Sequence, residues 1–209
     1  VEVDRVIVAA GIVGNVENLG LEKTRVIVEK THIVTDAQCR TGEPGVYAIG
    51  DVAGAPWLAH KASHEAVLCV EAIAGLPTHA LDPLRIPACT YSYPQVASIG
   101  MTEARAREHA KQSGGEIRVG KFTFAGNGKA IAMGEDQGLV KTVFDAKSGE
   151  LLGAHIIHPE ASELITGYGV AASLEATEED LMHTVFAHPT LSETLHESVL
   201  SAFGRALHA

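Results

Sequence analysis

The 209-residue chain reads as an α+β domain of antiparallel sheet and helices, preceded by a shorter α/β portion. Three observations predict this order. Asp4-Arg5-Val6-Ile7-Val8-Ala9-Ala10-Gly11 is an almost continuous apolar run, the pattern of a strand covered on both faces. Beyond Pro83 the texture changes to strand-length segments bounded by turn residues, with one helical pattern among them. A group of helical patterns then closes the chain, and strands followed by grouped helices favour an antiparallel α+β arrangement.

Taken in order, residues 1–45 hold short β elements at Arg5–Ala10, Arg25–Glu29 and His32–Thr35, punctuated by Gly11, Gly14 and Gly20. Gly45–Asp51 reads as a further buried strand with Gly-Asp at its carboxyl end. From Leu58 to Ala74 a helix is expected, because Ala59, Ala62, Ala66, Cys69, Val70 and Ile73 recur at steps of three and four. Gly75-Leu76-Pro77 stops it, and its small inward residues predict close packing. Strands follow at Ala88–Ser92, Val96–Ile99, Glu116–Phe124, Gly138–Asp145 and Glu150–Ile157, with a helix over Glu103–Gln112. Asp145–Gly149 has the composition of a hairpin loop. Three helices close the chain, and Thr177–Asp180 and Thr190–Glu193 both have the form of capping boxes. The chain starts at Val1 without Met, just ahead of an apolar run, and is expected to be a fragment of a longer protein.

Composition excludes some partners. With 26 acidic against 16 basic residues the formal charge is −10, a surface that repels phosphates, so no nucleic acid is expected. No apolar run reaches the roughly 18 residues of a membrane span, so no membrane partner is expected. Cys39, Cys69 and Cys89 form no C-x-x-C or C-x₄-C pair, which suits packing residues in a reducing, cytoplasmic compartment.

His188-Pro189-Thr190-Leu191-Ser192-Glu193 is the most informative stretch. Imidazole moves protons near neutral pH, and a carboxylate on one ring nitrogen fixes the tautomer and stabilises the imidazolium. Pro189 keeps His188 out of helical geometry, so Glu193 in the next helix's first turn could fold back towards it. The same residues are equally a plain capping box beside an exposed loop histidine, and spacing alone favours that simpler reading. Gly50-Asp51 is the second candidate: an acidic side chain between a strand and a helix start can hold ligand hydroxyls, or simply make a turn. Gly167-Tyr168-Gly169-Val170-Ala171-Ala172 matches G-x-G-x-x-A but lies within a helical run, where close helix packing explains it better. No metal site is expected, since His60 with His64, and His155 with His158, lack a third ligand.

Four segments occur in a telling order: Thr41–Val52, Leu58–Ala62, Tyr93–Glu103 and Ala187–Glu193. Together they resemble the C-terminal part of the dihydrolipoamide dehydrogenases, a family of flavoprotein disulfide reductases. His-Pro-Thr-Leu-Ser-Glu favours the lipoamide enzymes over glutathione reductase relatives. The resemblance implies the end of an NAD-binding domain over 1–45, the C-terminal segment of an FAD-binding domain over 46–82 and an interface (dimerisation) domain over 83–209. Asp51 would bind the ribityl chain of FAD, with Trp57, Leu58, Ala59 and His60 lining the flavin. Trp57 stands where Met is common. Gly11 would lie near NAD, although Gly11–Asn15 replaces the usual Arg-rich segment. His188 would be the acid–base residue and Glu193 its orienter, supplied across a homodimer to the other subunit's flavin and disulfide. His188–Pro189 is then a candidate cis bond. Implied partners are the lipoyl domains of 2-oxoacid dehydrogenase complexes. The redox cysteine pair and both nucleotide fingerprints lie upstream in the family, so this polypeptide alone is expected not to turn over. The alternatives are another disulfide reductase, such as a glutathione reductase or soluble transhydrogenase, or a non-catalytic dimerisation module.

Overall fold

Chain contacts part between Leu81 and Asp82, giving two units. The computed structural model describes residues 2–208, so Val1 lies outside it.

In the first unit, β1 (Val28–Glu29) and β2 (His32–Ile33) form an antiparallel hairpin. Lys30 and Thr31 turn it with φ of 47° and 72°, the double positive φ that matches the twist of a tight hairpin. Gly14 crosses so near that a Cβ there would stand 2.2 Å from the Thr31 carbonyl oxygen. Helix α1 (Ala59–Ile73) buries Leu68 and Cys69 against Cys39, with Tyr47 and Leu81 packed around them.

Four expected strands are corrected here. Arg5–Ala10 is not a strand: Val6, Ile7 and Val8 are 78%, 91% and 83% exposed. An apolar run becomes a strand only with a ladder partner, and none of the described strands pairs with this one. The hairpin strands are also shorter than their apolar spans. Gly45–Asp51 holds a single bridge, Tyr47 to Arg40. It then coils into a 3-10 turn over Gly50–Ala53, because Gly50 at φ 73° leaves the extended region.

The second unit is the antiparallel α+β domain. Its five-stranded sheet has the order β3-β4-β7-β6-β5, from β3 (Ala88–Thr90), β4 (Gln95–Gly100), β5 (Ile117–Thr123), β6 (Leu139–Asp145) and β7 (Leu151–His158). Asp145 makes the β6–β7 hairpin turn by accepting the N–H groups of Lys147 and Ser148 at 2.9 and 2.7 Å. Helix α2 (Glu103–Ser113) is N-capped by Thr102, and α4 (Ala161–Ser173) lies on β4 and β7. Short α5 (Glu178–His183) starts at the expected capping box of Thr177 and Asp180. Helix α6 (Glu193–Ala202) lies on β5 and β6. A short α3 (Gly128–Met133), absent from the sequence reading, is capped by Asn127.

The core joins β4, β6 and β7 to α4 and α6 through Val140, Phe144, Ile156, Ile165 and Val199. Its polar groups are matched except the Thr194 hydroxyl, which is buried without a hydrogen-bond partner. Tyr168 Oη donates to the Leu195 carbonyl at 2.9 Å, tying α4 to α6. Buried His158 stacks on Phe124 at 3.9 Å; its Nδ1 accepts the Glu160 N–H and its Nε2 donates to the Glu135 carbonyl. His155 Nε2 donates to the Met101 carbonyl, so both histidines of β7 are spent on the backbone.

Gly120 sets the distance between sheet and α6. A Cβ there would stand 1.9 Å from the Ser198 carbonyl oxygen and 2.8 Å from the Ala202 nitrogen, both helix backbone. Gly120→Ala is therefore expected to destabilise the domain by about 1–3 kcal/mol, the usual scale of overpacking. Gly128→Ala, with nothing within 4 Å of its Cβ, should be neutral or slightly stabilising. Urea unfolding of the two variants checks the contrast; equal midpoints would show that α6 does not rest on Gly120.

Candidate functional site

Helix α6 begins at Glu193, and the chain before it runs irregularly from Thr184 to Ser192. Phe186 and Leu191 pack against the core, which leaves His188 between two anchors. Its side chain is 76% exposed. The His188–Pro189 bond is cis. Two further contacts hold the turn: Thr190 Oγ1 donates to the Ala187 carbonyl at 2.7 Å, and Asn127 Nδ2 donates to the Thr190 carbonyl at 3.0 Å.

Glu193 then reaches back. Its Oε1 and Oε2 lie 2.9 and 3.1 Å from His188 Nδ1, and Oε2 also accepts the Thr190 N–H at 2.9 Å. Both readings of this stretch therefore meet on one carboxylate. The capping box is half formed, because the Thr190 hydroxyl turns to Ala187 and gives α6 no cap. Burial pushes the Glu193 carboxyl upwards, but the Thr190 N–H and the His188 contact outweigh it and hold the group below the usual carboxylate range. Glu193 is thus an anion at neutral pH and has no proton to give. The neutral imidazole must donate from Nδ1, and its Nε2 keeps the lone pair of a base.

The residues expected to border a flavin fall on one passage of the first unit. Asp51 is exposed in the first turn of Gly50–Ala53. Trp57 follows the cis Ala55–Pro56 bond, and its Nε1–H donates to His32 Nε2 at 3.0 Å, which ties it to the hairpin. Leu58 is the N-cap of α1, whose first turn starts at Ala59 and His60 with no side-chain cap and no acidic residue. A carboxylate that accepts hydroxyls and an uncapped, 15-residue helix offering N–H donors form a donor set that fits a polyol attached to an electron-rich ring. Gly11 has φ 82° on the exposed segment, with no atom within 4 Å of its Cβ position. Gly167 and Gly169 lie inside α4, where a Cβ would meet Leu195 and Ile99, as expected of packing glycines.

Burial raises two of the thiols, with Cys39 pushed up to about 11, which suits inert packing residues. Among the described residues no three His, Cys, Asp or Glu side chains group as a metal site, and no helix is long and apolar enough to cross a membrane. Four positioning residues escaped sequence reading. Asn127 was findable as an N-cap before Gly-Lys-Ala, and Lys61 with Glu65 as an i,i+4 pair; His32 gave no local signal.

Residues 86–199 match the family described as pyridine nucleotide-disulphide oxidoreductase, dimerisation domain, and residues 1–66 match pyridine nucleotide-disulphide oxidoreductase. The chain belongs to the pyridine nucleotide-disulphide oxidoreductases. Among its relatives, the dihydrolipoyl dehydrogenase of Rhizobium etli is 59% identical over 207 residues, 99% of this chain and 42% of that protein. The dihydrolipoyl dehydrogenase of Zymomonas mobilis is 56% identical over 97% of this chain and 43% of its own length. The chain thus spans about two-fifths of the length of the curated relatives it matches. Of solved structures, the HOCl-induced flavoprotein disulfide reductase RclA of Escherichia coli superposes with TM-score 0.82 at 24% identity, covering 91% of this chain and 43% of that one, a likeness of fold. LpdA of Mycobacterium tuberculosis gives 0.81 at 24% identity over 90% of this chain and 40% of its own, a likeness of fold.

The depressed Glu193 carboxyl makes a signed prediction for this oxidoreductase domain. Its contribution to stability is complete above the ordinary carboxylate range and is lost as pH falls through its lowered folded-state value. Glu193→Gln removes that titration. Denaturant unfolding at stepped pH should show the native domain's advantage over the variant shrinking in acid; a pH-independent gap would mean the carboxylate is not held as described.

Proposed function

We propose that this chain is the C-terminal part of a dihydrolipoyl dehydrogenase, with His188 as its acid–base residue. The observation that carries the reading is the Glu193 carboxylate on Nδ1, which leaves an exposed basic Nε2. The names of the curated relatives support the substrate, and the solved reductases support only the fold. In this reading 1–45 ends the NAD-binding domain, 46–82 completes the FAD-binding domain and 83–209 forms the interface domain of a homodimer. The compartment is cytoplasmic, in keeping with three cysteines that form no disulfide. The dithiol arrives on a lipoyl domain.

His188 Nε2 takes the proton of a dihydrolipoamide thiol. The thiolate attacks one sulfur of a protein disulfide outside this chain; that disulfide breaks, a mixed disulfide forms, and the released cysteine leaves as thiolate. His188, its first proton passed to the released cysteine thiolate, takes that of the second lipoyl thiol, whose thiolate closes the lipoamide ring on the mixed disulfide and releases the other cysteine as thiolate. A bound flavin would supply the route by which the electron pair of the reduced cysteines reaches NAD as hydride, with the disulfide re-formed. Asp51 would hold the ribityl hydroxyls, and Trp57, Leu58, Ala59 and His60 would border the ring, largely through α1 backbone donors. Gly11 would stand near NAD.

In the native gene product that carries this sequence, His188→Gln should lower dihydrolipoamide-dependent NAD reduction by roughly 10²–10⁴-fold, the span of general-base catalysis. Flavin content should stay unchanged. Parallel assays with reduced glutathione separate the alternative disulfide substrate; full lipoamide activity in the variant ends the assigned role.

A further inference from the structure

We propose that Lys61 and Glu65 are positioning residues that hold the Gly50–Ala53 turn so that Asp51 is presented to the flavin polyol. The proposal rests on the flavin reading of Asp51. The two side chains sit one turn apart on α1, nearly buried, with Nζ 2.9 Å from Oε1. Burying such a pair costs more than leaving it on the surface, unless further hydrogen bonds compensate. Here every further bond goes to the same turn. Lys61 Nζ donates to the Gly54 carbonyl at 3.0 Å and reaches the Gly50 carbonyl at 3.4 Å. Glu65 Oε2 accepts the Gly50 N–H at 2.7 Å.

The pair therefore grips both sides of Asp51, at Gly50 before it and Gly54 after it. Both gripped glycines carry positive φ, 73° and 103°, and glycine is free to take many other conformations, so the bonds select one of them. Gly50 also rests against the helix, where its Cβ would stand 3.2 Å from that of Ala62. An ammonium and a carboxylate locked onto one short turn hold the backbone from which the exposed Asp51 carboxylate projects. A ligand that uses this carboxylate is then spared the cost of ordering the loop.

The test is FAD affinity, measured by flavin fluorescence on apoprotein of the native gene product. Asp51→Ala should weaken binding at least tenfold, and Lys61→Met should do the same. The double variant should bind no more weakly than Asp51→Ala, because both changes remove one contact. Lys61→Arg should recover part of the affinity. Should Lys61→Met fail to fold, Glu65→Gln carries the test, with an expected loss of at least threefold. Unchanged affinity in Asp51→Ala would overturn the flavin reading itself. A normal Lys61 or Glu65 variant beside a weakened Asp51→Ala, or strictly additive losses in the double variant, would overturn the clamp alone.

Discussion

One carboxylate, that of Glu193, organises the chemistry of this molecule. It takes the Nδ1 proton of His188 and the N–H of Thr190 together, so ring orientation and loop shape are set by the same two oxygens. Because Glu193 stays anionic well into acid, the imidazole has no alternative partner of comparable strength on that side. The basic nitrogen on the other edge follows from this bond.

The rest of the second unit can be understood as support for that placement. Glu193 opens α6, and α6 is fixed by backbone contact at Gly120, by Tyr168 from α4 and by the buried Thr142–Ser198 hydroxyl pair at 3.1 Å. Asn127 adds a tie from α3 to the loop itself. A histidine that is largely exposed is thus oriented by neighbours that are largely buried. This is the usual way to combine access for a substrate with a defined geometry. The first unit repeats the pattern, with buried Lys61 and Glu65 behind exposed Asp51.

Much of the second unit was legible in sequence because its pairings are local. The Asp145–Gly149 turn announced the β6–β7 hairpin, and Thr177 with Asp180 marked the start of α5. Arg5–Ala10 and Gly45–Asp51 misled for the opposite reason: apolar runs specify burial, while a strand also needs a neighbour that no local pattern supplies. At the site, spacing brought His188 and Glu193 into range but favoured the plain capping box. The structure has Glu193 on both the His188 ring and the Thr190 N–H, with the Thr190 hydroxyl turned to Ala187, contacts invisible in S/T-x-x-E. Lys61 was hidden because a lysine on a helix reads as solvent-facing, and only the folded turn shows why it is buried.

The protonation of His188 is where this description is most exposed. Nitrogen-15 NMR of the selectively labelled imidazole, recorded above its titration, reports directly which ring nitrogen carries the proton. A hydrogen on Nδ1 and a bare Nε2 is the expected state, collapsing towards a tautomer mixture in Glu193→Gln. A ring protonated mainly on Nε2 would leave His188 without a base to offer and would remove the mechanism built on it.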